Sequence, residues 1–112
     1  MIIPVPPIFV VEGLDVSVHA SVEDAALSLE PWWVEQNEGS AYDSEGRLLE
    51  FWIDKHNVRI SLSEEIPRHA STLRSILLSF LSAVGEPVGG DSDSSLASLV
   101  KLCAKRANIP SA

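Results

Sequence analysis

Three histidines, one cysteine and a short run of mixed charge are the residues of this chain whose types could do chemistry. His19, His56 and His69 lie far apart, and none belongs to an HExxH, a paired HxH or a CxxC. A zinc site would then require the fold to gather them, and none is expected. Each histidine reads as a surface residue: on a strand's polar face, in a turn, and in the first turn of a helix. Cys103 falls on an apolar helical stripe with no base beside it, which suits a buried structural thiol rather than a nucleophile. As the sole cysteine it can form no intrachain disulfide, and that fits a reducing, cytoplasmic setting. "SEEIPRH" at 63–69 brings Glu64, Glu65, Arg68 and His69 together. An acid and a base side by side could move protons, but acids followed by a proline are also what a helix start calls for. There is no GxSxG, no phosphate-cradling glycine loop and no GxGxxG. Paired-carboxylate hydrolysis needs a cleft that 112 residues and one modest sheet rarely offer. A protein with no catalytic residue, metal or cofactor is expected.

A different pattern stands out in "LEPWWVEQNEGSAYDSEG" at 29–46, where two tryptophans sit among carboxylates. The net charge is −8, and its distribution is uneven. Residues 1–46 hold nine acids and no Lys or Arg, whereas the remainder holds seven acids and eight bases. Phosphate contacts need Lys and Arg, so nucleic acid is excluded as the expected partner. A basic protein is the partner such a field would steer. The same acidity also serves solubility alone. If residues 32–36 are extended, Trp32 and Trp33 point to opposite faces, and one of them meets water. Trp52 shares the polar face of its strand with Glu50 and Asp54. Either a final helix covers these rings, or they form an aromatic anchor with an acidic rim. Buried at an interface, each ring would contribute on the order of 2 kcal/mol or more. The partner-binding residues expected on this basis are Trp33, Trp52, Glu35, Glu38 and Glu45.

Elements must position these residues. "IFVVE" (8–12) and the alternating "LDVSVHA" (14–20) read as strands joined at Gly13, with Leu14, Val16 and Val18 on one face. Ser21 caps a short helix that Pro31 ends. "WWVEQ" reads as a further strand or extended edge. "SAYDSEGRLLEFWID" reads as a hairpin with Gly46 left-handed in a three-residue loop and Asp43 opposite Arg47. "VRISL" (58–62) follows a turn at 55–57. From Pro67, taken as a first helical position, Leu73, Ile76, Leu77, Phe80, Leu81 and Val84 recur at helical spacing up to Gly85. A linker over 85–95 leads to a last helix over 96–107, with Asp91, Ser92 or Asp93 as candidate caps. The apolar stripes are amphipathic, so no membrane span is expected, and the N-terminus lacks the basic region of a signal peptide.

The expectation is one α+β domain over 1–112: a mostly antiparallel sheet of about five strands, a short helix, a long covering helix and a C-terminal helix, in the order β-β-α-β-β-β-α-α. "EGLDVSVHASVEDAALSLEP", "AYDSEGRLL" and "HASTLRSILLSFL" resemble a group of small bacterial proteins sharing "DVxVxxSVEdAxxxLEP…YDxEGRxL". Some of these look like immunity proteins encoded beside polymorphic or contact-dependent toxins. The resemblance covers residues 8–84 and implies a non-enzymatic inhibitor that occludes the active surface of a basic toxin domain, such as a nuclease. Its motifs are structural, so it carries over no binding residue. The alternative is a small adaptor, or a domain that forms a homodimer through its aromatic face.

Overall fold

A computed structural model describes residues 2–36, 39–86 and 95–109. Five strands form one antiparallel sheet: β1 (Ile8–Glu12), β2 (Asp15–His19), β3 (Ser40–Tyr42), β4 (Leu48–Asp54) and β5 (Asn57–Leu62), in spatial order β2-β1-β3-β4-β5. The fold is α+β, with helices packed on both faces. The unbroken apolar run of β1 reflects this. Ile8 and Val10 point to one core with Ala41, Leu49, Val58 and Ile60. Phe9 and Val11 point to a second core with Tyr42. A strand apolar on both sides must be covered twice.

The first core is roofed by α1 (Val22–Ser28) and α2 (Pro31–Gln36), which contribute Ala25 and Trp33. As expected, Ser21 caps α1, its hydroxyl accepting from the Asp24 N–H at 3.1 Å. The second core is filled by Leu73, Leu77 and Leu81 of α3 (Ala70–Ala83) and by Leu99 and Cys103 of α4 (Leu96–Arg106). α4 packs on α3, and an Arg106–Glu86 ion pair at 2.5 Å ties its end down.

Several local expectations are corrected. "WWVEQ" is helical, not extended. Pro31 occupies the first position of a new helix, where its fixed φ and missing N–H cost nothing, so it starts α2 as well as ending α1. Leu14 is a turn residue beside Gly13 (φ 60°) and is exposed, so the second strand begins at Asp15. α3 begins at Ala70 rather than Pro67. Gly85 (φ 84°) does end α3, its N–H reaching the Ser82 carbonyl at 3.1 Å while that of Glu86 reaches Leu81 at 2.9 Å. Ser95 caps α4, accepting from the Ser98 N–H at 3.3 Å. Asp91, Ser92, Asp93 and the rest of 87–94 lie outside the described residues.

The β3–β4 loop is held by one buried carboxylate. The Asp43 carboxylate is fully buried and accepts from the N–H groups of Val5 (3.1 Å), Glu45 (3.0 Å) and Arg47 (2.9 Å) and from the Arg47 guanidinium (3.1 Å). Gly46 adopts φ 90° as the loop requires. A Cβ there would stand 2.5 Å from the Ala70 backbone, so the loop also seats the start of α3.

Candidate protein-binding surface

β3 is short: its pairing with β4 covers Ala41↔Leu49 and Tyr42↔Leu48. Farther along, β4 pairs with β5 through Asp54↔Asn57 at the Lys55–His56 turn. On the α3 side of this ribbon lie Glu50, Trp52 and Asp54, opposite Ser61, Arg59 and Asn57. The second core ends at Tyr42 and Leu48, so α3 and α4 do not cover it. Trp52 therefore stands 48% exposed across from Arg59, which reaches Asp54 at 3.7 Å.

On the opposite face, α1 runs beside β5 and a groove of about 580 Å³ opens between them. α1 and the residues after it face two ways. Val22, Ala26 and Leu29 pack on the first core. Glu23 and Leu27, one turn apart on α1, also line the groove, as does Glu30, which follows the extended Leu29 and precedes α2. Leu27 is 85% exposed, an apolar knob between Glu23 and, past the helix end, Glu30. Pro31, His56 and Arg59 complete the rim. Trp32, next to Pro31, is 57% exposed. Two exposed indoles thus flank the β5 margin, one on each side of the sheet.

The expected site residues fall in different places. Trp52 is exposed as expected. Trp33 is not: it is 9% exposed, its N–H donates to Glu12, and its ring meets Phe51 edge-on at 5.4 Å. A Cβ on Gly39 would overlap that ring at 2.2 Å, so the glycine lets the indole in. Because the segment is helical, Trp32 and Trp33 are about 100° apart rather than opposed, and Trp33 faces the sheet. The ring that meets water is Trp32. Glu35 is exposed on α2. Glu45 is exposed in the β3–β4 loop, where Arg47 engages it at 2.5 Å. It is not among the groove-lining residues. Glu38 lies outside the described residues. The structure therefore does not gather the four of them that it describes. The residues it does bring to the β5 margin are Trp52, Glu23, Leu27 and Glu30, with Trp32 beside them. Leu27 had a signal in the sequence: a leucine off the stripe of Val22, Ala26 and Leu29.

Several of the residues that could do chemistry are buried or paired. Burial pushes the Cys103 thiol up to about 11, so it is protonated at neutral pH. His19 is held below its ordinary value by burial, partly offset by Asp24, and its Nε2 lies 2.9 Å from Ser17 Oγ. Glu64 sits 3.6 Å from both Arg68 and His69 at the approach to α3. Among the described residues no group of three or more His, Cys, Asp or Glu could hold a metal ion, and no helix is long and apolar enough to cross a membrane. No protein-family model, curated protein or solved structure matches the chain.

Proposed function

We propose that this protein is a non-enzymatic binder of a cationic protein, and specifically an immunity protein that neutralises a basic bacterial toxin domain by covering its active surface. The observation that carries this reading is the pairing of exposed indoles with exposed acid. Trp32 adjoins Pro31 on the rim of the groove that Glu23 and Glu30 line, Trp52 stands exposed on the opposite face of the sheet, and the chain holds no Lys or Arg until Arg47. Indoles supply desolvated contact area at little entropic cost, and the acids supply orientation and encounter rate. The resemblance of residues 8–84 to a group of small bacterial proteins, some of which look like immunity proteins, points the same way. Co-expression tests it. The polypeptide encoded beside this gene should arrest growth alone and be silenced by this protein, and the double substitution Trp32→Ala, Trp52→Ala should restore arrest. A neighbour that is harmless, or protection that survives loss of both rings, would count against it.

A further inference from the structure

The groove beside β5 has a backbone floor as well as side-chain walls. The Ser63 N–H donates to the Leu48 carbonyl at 2.9 Å, which sets the phase of the β4–β5 ladder. Hydrogen-bonded pairs alternate along an antiparallel ladder. Glu50↔Ser61, Trp52↔Arg59 and Asp54↔Asn57 are therefore the bonded pairs. The N–H and C=O groups of Val58, Ile60 and Leu62 then point away from β4, along the margin of the sheet. Among the described residues β5 pairs with β4 alone. Exposed edges in folded proteins are normally blunted by charge, proline or a bulge. β5 has no proline and one charge, Arg59; Glu23, Leu27 and Glu30 wall the space beside Val58 and Ile60, and Ile2, Ile3 and Pro4 lie beside Ile60, Ser61 and Leu62.

We infer that the β5 edge receives an extended segment of the partner as a sixth strand, walled by α1. The inference rests on the cationic-binder reading and specifies how the partner is held. Strand addition draws affinity from the backbone ladder and selectivity from alternate side chains. Residues of the incoming strand on the α1 side meet Val58, Ile60 and Leu27, so they are apolar. Residues at its two ends meet Glu23 and Glu30, so they are Lys or Arg. Arg59 faces the other side of the sheet, where Asp54 already engages it. The occupant is thus a short β-strand with alternating apolar residues and a basic residue near each end. A second copy of β5, paired antiparallel, would again put Val58 and Ile60 on the α1 side and Arg59 on the other, with no base placed for Glu23 and Glu30.

Selection of a phage-displayed library of linear nonapeptides on the full chain tests this. Alternating apolar segments bearing Lys or Arg should be enriched. The synthetic peptides should slow amide exchange at Val58, Ile60 and Leu62. The double substitution Glu23→Lys, Glu30→Lys should weaken them at least tenfold, and Leu27→Asp should do the same. All three positions are exposed, and an unchanged melting temperature confirms that folding is intact. Basic peptides that bind but protect the Trp52 face instead, indifferent to these substitutions, would overturn the strand site and leave the cationic-binder reading standing. A dimer by sedimentation, with the β5 amides protected before any peptide is added, would give the edge to a second copy and overturn the inference. Enrichment of no basic segment, together with failure of the growth test, would overturn both.

Discussion

Trp32 and Trp33 are neighbours with opposite fates, and the difference is measurable. Trp33→Ala would empty a core site against Phe51 and strand Glu12. A loss of about 3–5 kcal/mol is expected in urea denaturation. Trp32→Ala and Trp52→Ala remove largely solvated rings, so stability should change by less than about 1 kcal/mol. Partner binding should instead weaken at least tenfold, roughly 1.4 kcal/mol each, by calorimetry. Two groups shifted by burial contribute to the pH response. The folded Cys103 thiol keeps its proton to about 11, above its unfolded value of 9.0. Between those values the unfolded chain binds fewer protons, so stability should fall as pH rises through that window. His19 is shifted the other way, below 6.5. The unfolded chain takes that proton first, so stability should also fall as pH drops below about 6.5. Melting temperatures across pH should show both slopes, with Cys103→Ala removing the alkaline one and His19→Gln reducing the acidic one.

At the scale of elements, turn chemistry was the most legible feature and the tryptophan segment the least. Asp43, Gly46 and Arg47 announce their loop because each does something few residues can: accept several backbone N–H groups, adopt positive φ, and reach back to a carboxylate. Gly46→Ala should cost more than about 1 kcal/mol, from φ strain alone, with the clash on Ala70 added. Its signature would be a lower denaturation midpoint without loss of helix in circular dichroism. "WWVEQ" defeated the period argument because six residues hold too few turns to separate helix from strand. Propensity was no help, since tryptophan suits strands and proline is read first as a stop. Lys55 is the opposite case. It takes φ 60° at the first position of the β4–β5 turn, where glycine is the residue that fits. Relief of that strain exceeds the entropy glycine adds to the unfolded chain, so Lys55→Gly should stabilise by about 0.5–1 kcal/mol. Chemical denaturation reads this directly, and because the turn ends the β5 margin, peptide binding there should be unchanged.

At the scale of the whole molecule, the charge asymmetry is carried by the elements that build one side of the groove. Both acids that line it, Glu23 and Glu30, come from the part of the chain that lacks bases. Association with a cationic partner should therefore slow steeply with salt, falling by at least tenfold between low and physiological ionic strength. Stopped-flow fluorescence of the exposed indoles would follow it. Dissociation should respond weakly, because the desolvated contacts that set it are screened less. An association rate indifferent to salt would show that the acids lie away from the contact. α4 adds nothing to this surface: it packs on α3 and leaves Trp52 open.

The α+β class, the antiparallel hairpins, the capped α1, the stripe of α3 and the uneven charge were all determined by local sequence. Each depends on periodicity, on a residue with special backbone geometry, or on counting. Which tryptophan is buried, which strand lies at the margin and which helix walls it were decided only by tertiary structure. Those outcomes depend on how far β3 reaches along β4 and on where α1 crosses the sheet. Both are set by packing between segments distant in the chain, and no window of sequence contains both sides of such a contact.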